Sequence, residues 1–306
     1  MEQENIIIYD WLSFTSKTLD HLYMLEVLGL EHLPWQTIKG AHGYRDRLYF
    51  NCISVHYNGR EDMGVWVELS GQGCRAFETL TTLPGKWEEL FSIIREERMN
   101  ITRLDIAYDD HTGVLDINEI IQDTRHKEYV SRSDYWEILE SSKGQSLQFG
   151  SPQSDVLIRI YDKARERNCG EGEHWIRCEL QLRRDRAKKF IDLGLPIGKS
   201  FCGVVVNYLR FVEPDALDNN KWRWPIKPYW GEMLSGADRI SIYESPGIEY
   251  NIDRCENYVV RLAGNAIDAY IQCIGVDKFL DNIKNRPVRR NPKYDRLVEE
   301  YRTLSL

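Results

Sequence analysis

The chain has 306 residues, 42% of them hydrophobic and 29% charged, with a formal net charge of −8. That length admits one large domain or two smaller ones around a substantial core, and the acidic balance argues against a protein that simply coats nucleic acid. No apolar run approaches the ~20 residues of a membrane span. The N-terminal "MEQENIIIYDW" lacks the basic and apolar regions of a secretory signal, so a cytoplasmic location is expected. The seven cysteines are scattered, with no C-x-x-C and no paired histidines nearby. Reduced, mostly buried thiols are therefore expected rather than a zinc site or a disulfide framework.

In chain order, "IIIYDWLSFT" (6–15) reads as a strand and Thr18 to Leu30 as an amphipathic helix. Strands follow at 46–50, 52–57 and 64–69, the last two joined as a hairpin through "NGREDMG". A helix over Trp87–Glu97 starts after Pro84-Gly85. The pattern then begins again, with a strand at 101–110, a helix over Leu115–His126, strands at 135–140, 146–149, 156–163 and 175–182, and a helix from Arg183 to Leu193. Two echoes, "YDWLSFT" with "LDIAYDD" and "VELSGQGCRAFE" with "CELQLRRDRAKKF", suggest an internal duplication. The expected fold is α+β, a central antiparallel sheet with flanking helices. Beyond about Asp215 the character changes to a Trp- and Pro-rich stretch and then helical periodicity, including Lys293 to Arg302. The expected division is a domain over 1–214 and a small, mostly helical region over 215–306.

Strand alternation places Leu157, Arg159, Tyr161 and Lys163 on one face of "SDVLIRIYDKARERN". A tyrosine is thus bracketed by two cations. Arg103, Asp105, Ala107 and Asp109 share a face of strand 101–110, and Trp175, Arg177, Glu179 and Gln181 share one of strand 175–182. Carboxylates are depleted in mid-strand, and a buried one needs a cation. Asp105 and Glu179 are therefore either partners in cross-strand ion pairs or oxygen ligands of a divalent metal beside a phenol nucleophile. The second arrangement suits phosphodiester transfer: the metal polarises a phosphoryl oxygen, the cations neutralise developing charge, and the phenol attacks. Between Val156 and Phe190, ten Lys/Arg face six Asp/Glu, a local charge of +4 on an acidic body. This is either a mixed, solvated face or a patch for a localised anion.

"TRLDIAYDD", "LQFGSPQSDVLIRIYDKARE" and "WIRCELQLR", in that order, resemble the replication initiation factor family of Rep_trans type. Its members are rolling-circle plasmid initiators, relaxases of integrative conjugative elements and some phage replication proteins. "YDWLSFT" and "VELSGQGCR" share the likeness, which spans about residues 6–215. The resemblance implies a strand transferase that nicks one DNA strand, becomes joined to the 5′ phosphate through tyrosine, and leaves a 3′-OH. It puts the nucleophile at Tyr161, flanked by Arg159 and Lys163. The acidic metal positions fall on Asp105 and Glu179, for Mg²⁺ or Mn²⁺, with Glu68 or Asp109 as the third ligand. Family members of this type have no His-hydrophobic-His metal motif, and His56 and His111 are read as non-ligands. The implied partner is DNA, as a single-stranded or hairpin origin; a helicase and a second copy of the chain stay open as further partners. Arg183, Arg184, Arg186, Lys188 and Lys189 open the helix after the Glu179 strand and are expected to contact DNA near the scissile phosphate. Trp222, Trp224, Tyr229 and Trp230 are either base-stacking residues or a packing seam. Two other readings stand beside the initiator: a conjugative relaxase with the same chemistry, and a non-catalytic origin-binding protein.

Overall fold

Two long strands form the centre of the molecule. In β1 (Ile6–Ser16) Leu12 and Phe14 point to the core while Ser13 and Thr15 face away; β6 (Asn100–Asp110) repeats this with Leu104 and Ile106 against Arg103 and Asp105. The computed structural model describes residues 4–235, except 143 and 171, and from the C-terminal part 256, 259–260, 263–285 and 298. Around β1 and β6 lie β2 (Gln36–Lys39), β3 (Asp46–Phe50), β4 (Ile53–Tyr57) and β5 (Val65–Leu69) on one side. On the other lie β8 (Trp136–Ser141), β9 (Gly144–Phe149), β10 (Val156–Asp162) and β11 (Ile176–Arg183). They make one sheet in the order β2-β3-β4-β5-β1-β6-β11-β10-β9-β8. Every neighbouring pair is antiparallel. A separate pair joins β7 (Tyr129–Ser131) to β12 (Leu209–Phe211).

Helices α1 (Tyr23–Val27), α2 (Gly71–Leu80), α3 (Trp87–Glu96), α4 (Ile117–Arg125), α6 (Asp185–Asp192) and α7 (Ile197–Tyr208) all contribute buried apolar side chains to one cluster. That cluster also takes Leu12, Leu104, Ile106, Leu180 and Leu182, so these helices share one face of the sheet. The other face carries the polar alternates. A short α5 (Lys163–Glu166) continues from the end of β10, capped by the Asp162 carboxylate accepting from the Arg165 amide.

The duplication suggested by the sequence echoes is present in the topology. β1 corresponds to β6, α1 to α4, β5 to β11, β4 to β10, β3 to β9, β2 to β8, and α2 to α6. The two halves meet along β1 and β6, so their rows of side chains are related by a rotation about that seam. Glu68 stands between Ser13 and Ser54 just as Glu179 stands between Ala107 and Arg159.

The chain separates into two compact units, Met1–Tyr243 and Glu244–Leu306. The boundary expected near 215 therefore lies later. The reason is packing: α8 (Pro228–Met233) places Trp230, fully buried, in the core of the first unit, with its indole N–H donating to the Leu209 carbonyl at 3.2 Å. Tyr229 donates to Asp123 at 2.8 Å, and Lys227 holds Asp123 and Glu128, each at 2.6 Å. These residues of the Trp-rich stretch form a packing seam. Trp222 does not: it is 41% exposed, with the Arg132 and Arg210 guanidiniums near its ring. Trp230→Ala should cost ~3–5 kcal/mol of stability, by lost burial plus the cavity left behind. Urea unfolding of the two proteins would measure it, and a loss below ~1 kcal/mol would take Trp230 out of the core account.

In the second unit α9 (Gly264–Ile274) and α10 (Val276–Lys284) are joined through Gly275. Its φ of +85° is one that other residues rarely adopt. The helix expected over Lys293–Arg302 lies outside the described residues. Among the described residues no helix is long and apolar enough to cross a membrane, and the six described cysteines are free thiols.

Candidate active site

Three neighbouring strands bring the polar alternates of the second half together. β10 and β11 pair Arg159 with Glu179 and Tyr161 with Arg177. β11 and β6 pair Arg177 with Asp109 and Gln181 with Asp105. Because cross-strand partners lie on the same face, Tyr161, Arg159, Arg177, Glu179, Asp105 and Asp109 form one surface. The sequence places all six on strands; only the register places them together.

Tyr161 is 7% exposed, and its hydroxyl donates to Glu179 Oε2 at 3.1 Å. Lys163 Nζ donates to the Tyr161 hydroxyl oxygen at 3.4 Å and forms an ion pair with Glu166. The Arg159 guanidinium sits 4.8 Å from the centre of the Tyr161 ring and binds Glu179 through hydrogen bonds of 3.0 and 3.2 Å. Burial pushes the phenol pKa far up and the Glu179 charge adds to this, while Arg177 and Arg159 oppose it. In this arrangement the tyrosine is a neutral donor. A nucleophile here needs its proton removed, and the nearest acceptor is Glu179.

Asp105 is 2% exposed and Arg103 binds its two oxygens at 2.9 and 3.1 Å. Burial still raises its carboxyl pKa to about 7; the Arg103 hydrogen bonds pull it down, and the Glu179 and Asp10 charges push it up. Asp109 is committed elsewhere: Arg177 meets both its oxygens at 2.7 Å, and Trp175 Nε1 donates at 2.6 Å. It fixes Arg177 beside Tyr161 and is the weaker of the two candidates for a third ligand. Glu68 faces Ser13 and Ser54 in the first half, where burial raises its pKa against His42, Arg103 and Arg47.

The acid that the sequence reading missed is Asp10. It lies in a β-bulge of β1, where the register with β6 shifts between Tyr9 and Trp11. Simple alternation assigns it to the apolar side with Leu12 and Phe14. The extra residue re-aims it, and Arg177 Nη1 reaches its Oδ2 at 2.7 Å. Burial raises its pKa, with Arg177 opposing and Glu179 adding to the rise. A bulge leaves no mark in the apolar pattern, so no sequence signal was available.

Asp10, Asp105 and Glu179 are hard oxygen donors, buried or nearly so, that repel one another, and that donor chemistry fits a divalent cation of the Mg²⁺ type. The side chains as they stand are arranged as ion pairs with Arg103, Arg159 and Arg177. Among the described residues no group of three His, Cys, Asp or Glu side chains is close enough to hold a metal.

The basic run after β11 divides. Arg183 continues the alternation of Glu179 and Gln181, pairs in register with Arg103, and donates to Gln181 at 3.4 Å. It therefore shares the face of Tyr161. Arg184 is exposed and pairs with Asp155 at 3.5 Å. Arg186, Lys188 and Lys189 belong to α6, which packs through Ala187, Phe190 and Ile191 on the apolar face. Once the strand ends, the helix crosses to the apolar side of the sheet, so of this run Arg183 shares the face of Tyr161 while Arg186, Lys188 and Lys189 sit on a helix of the opposite side. Lys188→Gln, a change on that side, should leave nicking within ~2-fold of wild type, since a solvated surface charge this far away is screened. A loss of tenfold or more would return α6 to the site.

In the first half the row Asp109–Arg177–Tyr161–Ser146 has as its counterpart Thr15–Trp66–His56–Arg47. His56 thus occupies the position of Tyr161. It is 2% exposed, and burial lowers its pKa to about 4, with Arg47 and His42 contributing. The unfolded chain takes up a proton near pH 6.5 that the folded one refuses until about 4. The stabilising preference is complete above pH 6.5 and is lost as pH falls through that window. His56→Phe, which keeps a ring beside Trp66, should flatten the decline in unfolding midpoint between pH 7.5 and 5. Parallel declines would show that His56 is not the titrating group.

A model of the family described as replication initiation factor matches residues 99–285, more than half of the chain. The chain belongs to the replication initiation factor family. A second model, the rolling circle replication initiation protein N-terminal domain, matches residues 6–93. The two spans meet where the halves of the sheet meet, at β6. The chain is 28% identical over 261 residues to "Putative DNA relaxase NicK" of Bacillus subtilis (strain 168), covering 79% of this chain and 74% of that protein. It is also similar in structure to a rolling circle replication initiator protein from Geobacillus stearothermophilus. The TM-score is 0.70 at 34% identity, covering 79% of this chain and all of the other. This rolling-circle initiator and relaxase family, and its α+β architecture, are those implied by the sequence resemblance.

Proposed function

We propose that the protein is a site-specific DNA nicking and joining enzyme that starts rolling-circle replication, with Tyr161 as nucleophile. The observation that carries this reading is the Tyr161 hydroxyl hydrogen-bonded to Glu179 between Arg159 and Lys163. The phenol proton passes to Glu179 Oε2 as the tyrosine oxygen bonds to phosphorus and the bond from phosphorus to the 3′ oxygen breaks. The departing oxygen takes a proton from water and becomes a 3′-OH, while the 5′ phosphate stays on Tyr161 as a diester. Religation runs the same exchange in reverse. Arg159 and Lys163 neutralise charge on the phosphoryl oxygens, and Arg177, fixed by Asp109 and Asp10, favours the phenolate as it forms. Asp105 and Glu179, with Asp10 as third donor, would hold Mg²⁺ or Mn²⁺, which polarises a phosphoryl oxygen when bound. Arg183 and Arg103, on the same face, are the basic residues placed to take the DNA backbone.

The test is incubation with supercoiled DNA carrying the origin, in Mg²⁺. Open circles with protein attached to a 5′ end after SDS are expected. DNA that stays closed while still bound would leave a non-catalytic origin-binding protein. The similarity to a protein named as a relaxase supports a second reading with the same chemistry, nicking at a transfer origin. Nicking of one origin and not the other separates the two.

A further inference from the structure

The first half of the sheet keeps the architecture of the catalytic half without its chemistry. Where the second half has Tyr161, Arg177 and Asp105, the first has His56, Trp66 and Trp11. No phenol or acid pair stands there, yet the row is not filled with aliphatic residues as a plain structural strand would be. His56 stacks on Trp66 at 4.6 Å between ring centres and 20° between planes. Tyr44 lies 6.3 Å from Trp66 at 28°, and the exposed His42 meets its edge at 5.2 Å. Arg47 is opposite His56 and stands over Tyr49 at 5.3 Å. None of Trp66, His56 and Tyr44 belongs to the apolar core cluster. Two buried polar atoms of this row, His56 Nδ1 and Arg47 Nε, have no hydrogen-bond partner. Groups of that kind are satisfied in most proteins, and their presence points to a ligand or water supplying the bond.

The geometry points to a base-stacking platform in the first half, centred on the half-buried Trp66 and backed by the buried His56, that holds the unpaired DNA strand at a distance from the nick. It rests on the reading of Tyr161 as a DNA-nicking nucleophile and adds where the flanking strand goes. Continuity with the site supplies the occupant: Trp66 lies on the same polar face as Tyr161, so a strand with its phosphate at Tyr161 can run on across it. An aromatic ring stacks any base, an arginine beside it can meet a phosphate, and neither needs the general basic charge that this chain lacks. Trp66 is four strand-to-strand steps from Tyr161, and its row meets β1 at Thr15 whereas that of Tyr161 leads to Ile6. Strand spacing and rise put the two roughly 35 Å apart. That is about ten nucleotides at a stacked rise of ~3.4 Å, and fewer if the strand is extended.

The experiment uses the full chain and single-stranded origin oligonucleotides with flanks, on either side of the nick, shorter than ~6 or longer than ~15 nucleotides. Binding and covalent adduct are read separately. Trp66→Ala and Trp66→Leu should weaken binding to the long-flank strand by about 5- to 150-fold. Both should leave binding and adduct formation on the short-flank strand as in wild type. Trp66→Phe, which keeps a ring, should recover most of the loss. The Leu variant fills the position without π-electrons and guards against simple collapse in the Ala variant. Long-flank affinity unchanged in both variants, or an equal loss on short and long strands, overturns the platform. If wild type forms no adduct on any strand, the nicking reading falls instead, and the flank dependence still reports on Trp66.

Discussion

Tyr161→Phe is expected to fold and to bind the origin, and to form no covalent adduct with DNA. The substitution removes one oxygen. Glu179, which loses the hydrogen bond of the phenol, retains Arg159 on both its oxygens, so no buried carboxylate is left without a cation. The expected stability change is within ~1 kcal/mol, the ordinary scale of one lost hydrogen bond with its partner still satisfied. The ring also keeps its place between Arg159 and Lys163. Adduct formation, by contrast, loses the attacking atom of the proposed mechanism. Nicking of supercoiled origin DNA and SDS-resistant attachment should fall together to background, while retention of the origin in a gel persists. A Phe variant that still captures DNA would move the nucleophile to another residue. Lys163→Met should behave as an intermediate, since it removes a donor to the phenol oxygen and leaves the nucleophile in place.

Much of this site is legible in the sequence because a strand writes its geometry into its spacing. Arg159, Tyr161 and Lys163 at alternate positions, and Asp105 and Glu179 in mid-strand, each imply a polar face that must meet a partner. What spacing cannot supply is which strands are neighbours, and the meeting of Asp105 with Glu179 depends on β6 and β11 being adjacent. Asp10 is hidden by a bulge, which reverses the facing of one residue and leaves the pattern around it intact. The basic helix is misplaced for a related reason: charge counts along a chain ignore the turn at Arg184, after which the side chains belong to the other face of the sheet. Helix α7 is buried all round from Ser200 to Asn207, with Phe201, Val204, Val205 and Val206 among its apolar residues, so it shows no clear 3.6-residue stripe to read. Strand β2, four mostly exposed residues at the sheet edge, has no buried face to alternate. α2 (Gly71–Leu80) has no counterpart among the expected elements, although the echo with the Glu179 strand and its helix holds the information that it is a helix.

Replacing Asp105 by Asn separates the site's chemistry from its stability. In the folded protein Asp105 is a carboxyl whose pKa is raised to about 7 by burial, against the pull of Arg103. A group raised in this way is bound to its proton more tightly folded than unfolded, so it favours the folded state as pH falls from about 7 towards its unfolded value near 3.9. Above pH 7 the ionised form opposes folding, and the Arg103 pair offsets part of this. Asn has nearly the same shape and no charge. At pH 8 the variant should therefore be as stable as wild type or slightly more so, because removing a buried charge from a pair whose partner reaches solvent can be neutral or favourable. Arg103 is that partner, with a quarter of its side chain exposed and its guanidinium over the Trp11 ring at 4.3 Å. Nicking should behave in the opposite way. If Asp105 and Glu179 hold Mg²⁺ or Mn²⁺, both Asp105→Asn and Glu179→Gln lose nicking by at least ~100-fold, the scale on which metal-site changes act, while origin binding stays. The metal itself can be read without activity: Mg²⁺ should raise the unfolding midpoint of the wild type by binding only the folded state, and should not raise that of either variant. Should EDTA leave the wild type nicking at full rate, the cation is wrong, and Asp105 is then a partner that orients Arg103. Should Asp105→Asn still bind Mg²⁺ and nick while Glu179→Gln does neither, the ligand set shifts to Glu179 with Asp10, the carboxylate that the bulge turns towards Arg177.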